Sequence, residues 1–393
     1  MEEIKDFGKL VRRLNKALKN KELIILYGDS DMDGAVAVII LKQIIDNLGG
    51  RSPIIYFSDR KRTEQGINFE SLEFLKDKAP ALIVSLDCGT SNVKEIEAAK
   101  KLGFEVVVVD HHDIFEIPDI KILVNPKQQS KDSPFYYLAA AGLALKIAEK
   151  MLAKRFSGVL KEDILGLAAL ATLIDLVPEI GENIKILREG LPMLENSWRP
   201  GVKAFFTSEV TNRCISTREI AAKIGRITNI TDKEDDYLNK IYVLLNSKSE
   251  EEANLRLEEL LKMASDRQEK IAFFMEELKA KINPKINELS IIFEDLTGCP
   301  FPILSVVASR TSASFMKPTF IFTKEKKENW GSYRMPLGEN GINAISSCAK
   351  FLRRYGGHPA VGGFYFEDKN KEKIKECLIK YFSDQNKSTK KSA

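Results

Sequence analysis

Residues 23–34 read LIILYGDSDMDG, an apolar run that leads into three aspartates at alternate positions. Similar apolar runs occur at residues 81–86 (ALIVSL) and 104–109 (FEVVVV), and each is also followed by an aspartate. Runs without polar alternation are typical of strands that are covered on both faces, and helical patterns separate these runs. The order of the elements therefore predicts an α/β fold with a doubly wound parallel sheet in the N-terminal part of the chain.

The predicted strands and helices of this part alternate along the chain. Strands are expected at residues 23–27, 53–57, 81–86, 104–109 and 121–124. Helices are expected at residues 34–48, 69–78, 92–102, 138–154 and 161–173. Such alternation is what a parallel sheet with crossover helices requires.

After about residue 198 the pattern changes to long, charged helical stretches, which predicts a helical connector. Strand signals then return in SIIF (290–293), ILSVV (303–307), TFIFT (319–323) and GGFYF (362–366), with one helix near residues 342–354. They predict a second, smaller, mixed α/β domain, and the polar tail is expected to be disordered. The predicted division is a catalytic domain at 1–198, the connector at 199–286, the second domain at 287–384 and the tail at 385–393.

Composition limits the possible functions. The chain has 393 residues, enough for two or three domains that each bury a core. Its net charge of +4 is too small for wrapping a long duplex by bulk charge, so a nucleic-acid site must be a local patch. No signal sequence is recognised, and the apolar run at 164–174 is too short to cross a bilayer, so we expect a cytoplasmic protein that does not bind a membrane. The five cysteines are scattered singly, and we expect them to be reduced.

Acidic residues follow three strands of the predicted sheet, and the carboxyl ends of parallel strands meet at one edge. Carboxylates gathered there repel one another unless cations bind between them. Carboxylate and imidazole ligands suit Mn²⁺ or Mg²⁺, which predicts a centre with two metal ions. Another carboxylate ends the apolar helix and is expected to join this centre. The acidic residues concerned are Asp29, Asp31, Asp33, Asp87, Asp110 and Asp175.

The chain contains only three histidines, and two of them, His111 and His112, are adjacent and follow a buried strand. Packing alone rarely calls for such a pair, so we interpret it as part of the site. Two other interpretations concern the aspartates. A calcium loop has a Glu at its twelfth position, where this chain has Ile40, and a single aspartate such as Asp87 at a strand end often only caps a helix.

The combination of motifs resembles the DHH phosphoesterases. It comprises D-x-D-x-D-G at residues 29–34, Asp87, Asp-His-His at 110–112 and ATLIDLVPEIGEN at 171–183. Further segments resemble the RecJ-like branch, which contains single-strand-specific nucleases with a second domain called DHHA1. They are FYYLAAAGLALKIA (135–148), TREIAAKIGRI (217–227), LLKMASDRQEKI (260–271) and RYGGHPAVGG (354–363).

The resemblance implies roles for individual residues. The implied metal ligands are Asp31, Asp33, Asp87, His111 and Asp175, with Asp87 bridging two ions. The implied catalytic positions are His112, which would face the scissile phosphate, together with Asp110 and Asp29. In the second domain it implies substrate binding by Arg334, Ser332, Gly356, Gly357 and His358. Two more arginines are predicted to bind the substrate, Arg310 on a strand beside Arg334 and Arg60 after the second strand of the first sheet.

The family's chemistry implies a divalent-metal-dependent exonuclease for single-stranded DNA or RNA, in which two ions about 3.5–4 Å apart activate a water. One alternative is a phosphodiesterase or phosphatase for short oligonucleotides, cyclic dinucleotides or phosphoadenosine. The other is a catalytically reduced scaffold of a replication complex. A replication or repair protein is an expected partner of the chain. The chain departs from the family pattern at Tyr27 and at residues 225–232, and no appended oligonucleotide-binding domain is expected.

Overall fold

The computed structural model describes residues 4–58, 66–114, 116–207, 216–228, 234–325 and 328–389. The chain divides into two compact units, Met1–Ala264 and Ser265–Ala393, which are described separately below. The predicted limits of a separate connector, at residues 199 and 286, remain predictions. No helix among the described residues is both long enough and apolar enough to cross a membrane.

The first unit contains a five-stranded parallel sheet and most of the helices. Its strands are β1 (Ile24–Gly28), β2 (Ile54–Phe57), β3 (Leu82–Leu86), β4 (Glu105–Val109) and β5 (Leu123–Val124). Its helices are α1 (Phe7–Lys19), α2 (Met32–Asn47), α3 (Phe69–Leu75), α4 (Val93–Lys101), α5 (Ala140–Leu152), α6 (Gly158–Ile174), α7 (Glu182–Glu195), α8 (Pro200–Thr207), α9 (Thr217–Thr228), α10 (Lys240–Leu245) and the start of α11 (Glu250–Ile282). The strand order is β2-β1-β3-β4-β5, which confirms the predicted doubly wound sheet.

Both faces of this sheet are covered, as the uninterrupted apolar runs predict. In β1, Ile24 and Leu26 pack into the core beneath α1, α2, α5 and α6, whereas Ile25 and Tyr27 pack toward α3 and α4. Each such aliphatic side chain contributes roughly 1.5–3 kcal/mol on burial. Helices α8 to α10 share the first of these two cores.

The strand order places a topological switch point between β1 and β3. After β1 the chain passes through α2 to β2 on one side, and β3 lies on the other side of β1. The connections therefore diverge at the carboxyl ends of β1 and β3, which opens a crevice at the sheet edge. The residues that follow these two strands are the predicted acidic ones.

The second unit is built on a five-stranded mixed sheet. Its remaining elements are β6 (Ile292–Asp295), α12 (Phe301–Phe315), β7 (Thr319–Glu325), β8 (Glu328–Arg334), α13 (Gly341–Ser347), β9 (Arg354–Gly357), β10 (Val361–Glu367) and α14 (Lys371–Thr389). The order is β6-β7-β8-β10-β9, and only β6 and β7 pair in parallel. Helices α11 and α12 share one core and α13 and α14 the other, which confirms the predicted mixed α/β character.

One predicted strand is wrong, because residues 303–307 (ILSVV) lie in α12 rather than in a strand. Short apolar runs do not distinguish a strand from a buried helix. Here Ile303, Leu304, Val307 and Ala308 are buried, a spacing that places them on one helical face.

The end of the chain also differs from the expectation, since α14 continues to Thr389 through part of the tail that is predicted to be disordered.

The expectation that all cysteines are reduced is wrong for one pair. Cys348 and Cys377 form a disulfide with their Cα atoms 6.0 Å apart. Their sequence separation of 29 residues gives no signal of this pairing, which arises because α13 packs against α14. Among the described residues, Cys88 and Cys299 are buried and lie outside the disulfide.

Candidate metal centre

Three aspartates are fixed at the carboxyl edge of the parallel sheet. Each continues the hydrogen-bond ladder one residue beyond its strand, because its backbone N–H donates to the last carbonyl of the neighbouring strand. The pairs are Asp29 with Leu86 (3.1 Å), Asp87 with Val109 (2.9 Å) and Asp110 with Val124 (3.0 Å). The sheet therefore sets the backbone positions of these carboxylates directly.

The segment that follows β1 turns at once into α2. The Asp31 carboxylate caps this helix and accepts a hydrogen bond of 3.1 Å from the backbone N–H of Gly34. A Cβ atom at Gly34 would lie 2.3 Å from the carbonyl oxygen of Asp29, so the close turn requires glycine. The D-x-D-x-D-G motif thus combines a helix cap with a tight backbone approach.

Asp33 is buried in the first turn of α2 and faces the start of another helix. Its two carboxylate oxygens accept hydrogen bonds from the backbone N–H groups of Ala140 (2.7 Å) and Ala141 (2.8 Å). These donors lie at the N-terminus of α5, where the helix dipole favours negative charge. The contact explains how a carboxylate with only 1% exposure is held in place.

His111 points into a group of three carboxylates. Its Nε2 atom lies 3.1 Å from Oδ1 of Asp87, 3.6 Å from Oδ2 of Asp33 and 3.6 Å from Oδ2 of Asp175. Asp175 directly follows α6, as the sequence predicts. The structure therefore brings these four residues, from four separate segments of the chain, to one point.

The polar atoms at this point are not satisfied by hydrogen bonds. Both carboxylate oxygens of Asp87 and Nε2 of His111 are buried and have no hydrogen-bond partner among the described residues. The backbone of Asp87 also has a φ of 64°, a left-handed conformation that costs a non-glycine residue energy. Buried oxygen and nitrogen atoms left without donors are the expected surroundings of a bound cation.

The electrostatics of the two most buried carboxylates agree with this interpretation. Burial raises the pKa of Asp87 well above its usual value, and the charges of neighbouring aspartates raise it further. Burial and the nearby charges of Asp175 and Asp31 likewise raise the pKa of Asp33, although its two backbone donors oppose this. Without a cation, the centre therefore favours bound protons.

The second histidine of the pair is held differently. Nδ1 of His112 lies 2.8 Å from Oδ1 of Asp110, and the same oxygen accepts hydrogen bonds from the backbone N–H groups of His111 and His112. Oδ2 of Asp110 accepts another from the N–H of Thr90. Although burial alone raises the pKa of Asp110, the hydrogen bond and charge of His112 outweigh it and hold this pKa well below its usual range.

The side chains form three overlapping groups, and within each group the ligand atoms lie within 4.8 Å of one another. They are Asp33, His111 and Asp175; Asp87, His111 and His112; and Asp29, Asp31 and Asp87. Asp87 belongs to two of these groups, and so does His111. The described residues thus bring together all of the predicted ligands.

Sequence reasoning missed residues that support the centre. Asn125 follows β5, and its side-chain amide donates to the carbonyl of His112 (2.9 Å) and to Oγ1 of Thr90 (3.0 Å). The missed signal is that Asn125, like the aspartates, directly follows a strand at the same sheet edge. Lys127, two residues later, lowers the pKa of His111 through its charge, after the larger effects of burial and other charged groups.

Five predicted substrate residues of the second unit lie on or directly after the strands β8 and β9, which both pair with β10: Ser332, Arg334, Gly356, Gly357 and His358. The Arg334 guanidinium donates to Oγ of Ser332 (2.8 Å), and Tyr333, the residue between them, donates from its hydroxyl to the carbonyl of His358 (2.8 Å). Gly357 has a φ of 136°, and a Cβ there would lie 2.4 Å from Cα of Gly362. At Gly356, by contrast, an added Cβ would meet nothing within 4 Å.

The two other predicted arginines have different outcomes. Arg310 is exposed on α12, not on a strand, and donates to Oε1 of Gln268 (3.2 Å), so its predicted strand position is wrong. The error has the same cause as the ILSVV error, since both lie in one apolar run. Arg60 lies outside the described residues.

Residues 23–172 match the DHH family, N-terminal domain. The matched residues all lie within the first unit. The chain is also 28% identical over 370 residues to the single-stranded-DNA-specific exonuclease RecJ of Bacillus subtilis strain 168, covering 92% of this chain and 46% of that protein. The RecJ of Thermus thermophilus is 26% identical over 359 residues, covering 90% of this chain and 51% of that protein. The chain thus spans about half the length of these curated relatives.

Solved structures match more of the chain than this family model does. A crystal structure of exonuclease RecJ bound to manganese superimposes with a TM-score of 0.81 at 24% identity, over 97% of this chain and 95% of that one. RecJ from Thermus thermophilus in complex with Mn²⁺ gives a TM-score of 0.80 at 22% identity, over 98% of this chain and 55% of that one. Both units of this chain therefore have the RecJ-like fold.

Proposed function

We propose that this protein is a divalent-metal-dependent exonuclease that hydrolyses the phosphodiester bonds of single-stranded DNA or RNA. The observation that carries the proposal is the largely buried cluster of His111 with Asp33, Asp87 and Asp175. Neither carboxylate oxygen of Asp87 has a hydrogen-bond donor among the described residues. A buried cluster of this kind destabilises a protein that has no use for cations. The names of the relatives support the choice of a single-stranded substrate.

The residues present fit two small divalent cations. The donor set consists of carboxylate oxygens and one imidazole nitrogen, which suits Mn²⁺ or Mg²⁺, and it contains no thiolate. The proposed ligands are Asp31, Asp33, Asp87, His111 and Asp175. Asp87 would be shared, because it belongs to two of the three groups and, unlike the imidazole of His111, offers two oxygens. Bound cations would supply an activated water and neutralise charge on the phosphate.

The residues around the ligands have separable tasks in this proposal. His112 is half-exposed and its pKa is raised to about 9, because the hydrogen bond and charge of Asp110 outweigh the effect of burial. It therefore presents a positive charge to the crevice at neutral pH, where it can stabilise a phosphate in the transition state. Asp110 positions this imidazole and holds its proton on Nδ1, and Asp29 completes the carboxylate group beside Asp87.

The second unit supplies the proposed binding of the strand. Arg334 and Ser332 combine a guanidinium with a hydroxyl, and Gly356 leaves open space beside an exposed backbone. Such a surface suits phosphate groups, because glycine lets an anion approach backbone N–H groups closely. We include His358 and Gly357 in this surface, and Arg310 and Arg60 as further phosphate contacts.

The proposal also concerns the setting of the enzyme. We propose a cytoplasmic location and a replication or repair protein as partner, by analogy with the nuclease role named for the relatives. A catalytically reduced scaffold is disfavoured, because such a protein has no need to retain a cluster of mutually repelling carboxylates.

The deciding experiment incubates end-labelled single strands of DNA and RNA with the protein and Mn²⁺ or Mg²⁺, and separates the products by length. Progressive shortening of strands, abolished by EDTA, is expected. Asp87→Asn, which keeps the side-chain volume but removes the charge, is the matched inactive control. A protein that leaves both strands intact but hydrolyses a cyclic dinucleotide or phosphoadenosine would contradict the exonuclease proposal.

A further inference from the structure

Lys127 lies beside the DHH motif although no motif contains it. It belongs to a short 3-10 turn, Pro126–Gln128, that directly follows Asn125. Its backbone N–H donates to Oδ1 of Asn125 (2.8 Å), and the amide of Asn125 donates to the carbonyl of His112 (2.9 Å). The backbone of Lys127 is therefore fixed relative to the paired histidines.

The side chain of Lys127 is packed against two aromatic rings. Its ammonium nitrogen lies 4.6 Å from the ring centroid of Tyr136 and 5.3 Å from that of Tyr137. Only 20% of the side chain is exposed. Cation–π contacts of this kind contribute about 0.5–2 kcal/mol and hold an ammonium without using its N–H donors.

Those donors have little to bind within the protein. The ion pair with Asp113 is long, with Nζ 3.7 Å from Oδ1, and the Asp113 side chain is 71% exposed. No hydrogen bond to the Lys127 ammonium is found among the described residues. The aromatic faces and the long ion pair hold the ammonium without occupying its N–H donors fully, so these donors can bind an external anion.

The place of Lys127 indicates which anion this is. Asn125, which holds its backbone, also donates to the carbonyl of His112 beside the candidate metal centre. The proposed reaction requires a phosphodiester to reach that centre, so the backbone phosphates of the strand are the anions that come within reach. A lysine acts on phosphate as a point charge and needs no planar alignment.

We propose that Lys127, held by Tyr136 and Tyr137, binds a backbone phosphate of the nucleic-acid strand beside the metal centre. This inference rests on the proposed function and adds a substrate-binding residue to it. The aromatic rings place the ammonium, and the phosphate occupies its free donors. Lys127 is thus a positioning contact for the strand and not a ligand of the metal.

The test uses Lys127→Gln, which keeps a long polar side chain but removes the charge. The control is Lys131→Gln, since Lys131 is exposed on the same segment. Strand binding is measured by fluorescence anisotropy in EDTA, and each variant is made in the Asp87→Asn background so that turnover does not interfere. Lys127→Gln is expected to weaken binding about tenfold and to lower the slope of log Kd against log salt by about 0.7. Lys131→Gln should change neither quantity.

Further measurements separate phosphate binding from other roles. Unchanged strand binding in Lys127→Gln, or an equal loss in Lys131→Gln, would overturn the inference. So would a lower affinity of Lys127→Gln for Mn²⁺ alone in the otherwise wild-type chain, because Lys127 would then support the metal centre. Absence of cleavage by the wild-type protein would instead contradict the proposed function, and the binding assay does not depend on cleavage.

A strand with one uncharged methylphosphonate linkage, moved along the sequence, identifies the phosphate that is contacted. At that position the uncharged linkage should lower the affinity of the wild-type protein. It should not lower the affinity of Lys127→Gln further, because this variant has already lost the contact. Equal losses for both proteins at every position would refute a direct contact.

Discussion

Nδ1 of His112 lies 2.8 Å from Oδ1 of Asp110, whereas the neighbouring His111 directs Nε2 at three carboxylates without a hydrogen bond. Burial and the charge of His112 lower the pKa of His111 to about 4, although nearby carboxylates oppose this. The pKa of His112 is instead raised to about 9. At neutral pH the two adjacent imidazoles therefore differ in charge, since His111 is neutral and His112 is a cation.

This difference predicts separate effects of the two histidines. His111→Ala should weaken Mn²⁺ binding at least tenfold, because it removes a proposed ligand. His112→Ala should leave Mn²⁺ binding unchanged and lower kcat by about 10²–10³-fold, as expected for loss of a transition-state contact. Calorimetric titration with Mn²⁺ and steady-state cleavage of an oligonucleotide measure both effects. Equal Mn²⁺ affinity in the two variants would contradict this division.

Asp87→Asn should stabilise the metal-free protein and remove its response to metal. Without metal, the buried carboxylate is unsatisfied, so its neutral isostere should raise the unfolding free energy by about 1–3 kcal/mol. With Mn²⁺, the wild-type protein should gain stability and the variant should not. Urea unfolding with EDTA or Mn²⁺ tests both parts, with the exposed Asp77→Asn as control. A variant that is less stable than wild type in EDTA would argue against a strained carboxylate cluster.

Metal binding should release protons. Since the pKa values of Asp33 and Asp87 are raised, the folded metal-free protein binds protons that the unfolded chain has already lost. Its stability should therefore fall as pH rises from the ordinary aspartate pKa toward the raised values, and Mn²⁺ affinity should increase over the same range. Titration calorimetry in buffers of different ionisation enthalpy counts the released protons. Asp87→Asn should release fewer, and a wild-type count of zero would contradict the prediction.

The adjacent glycines of the second unit should behave differently. Gly357→Ala should lower the unfolding free energy by about 1–3 kcal/mol, because the left-handed φ and the 2.4 Å approach to Gly362 exclude a Cβ. Gly356→Ala meets no atom within 4 Å, so the fold should tolerate it. Its strand affinity should nevertheless fall if phosphate approaches the backbone there. Urea unfolding and fluorescence anisotropy separate the two effects, and an unstable Gly356→Ala would contradict the assignment.

The parallel sheet could be predicted because β1, β3 and β4 are apolar runs without polar alternation. This signal is local, and β1, β3 and β4 lie where it predicts them. The run at 303–307 carries the same local signal and is helical, because burial on one side by α11 and the sheet is a tertiary effect. Local composition alone therefore did not separate these cases.

The candidate metal centre could likewise be predicted only in part from the local sequence. The aspartates and histidines follow strands, so their meeting could be predicted from sheet topology. The backbone N–H groups of Ala140 and Ala141 that hold Asp33 belong to a helix more than 100 residues later in the chain. The contact of the Lys127 ammonium with Tyr136 and Tyr137 likewise depends on how the chain folds back after β5. Neither contact has a sequence signature, because both depend on how separate segments pack.

A strained residue directly follows the proposed ligand Asp175. Leu176 has a φ of 57° although its side chain is 70% exposed, so little burial offsets the strain. A left-handed conformation costs a leucine about 1–2 kcal/mol and asparagine less, because its short polar side chain tolerates this region. Leu176→Asn should therefore raise the unfolding free energy by about 0.5–1 kcal/mol.

The matched control for this change is Leu255→Asn. Leu255 is 69% exposed but lies within α11, where asparagine is the poorer helix former, so this variant should lose a few tenths of a kcal/mol, about 0.5 at most. Urea unfolding in EDTA gives both values without interference from metal. Opposite signs at two equally exposed leucines would locate the strain in the backbone beside Asp175. A loss of stability in Leu176→Asn would show instead that the leucine side chain stabilises this turn.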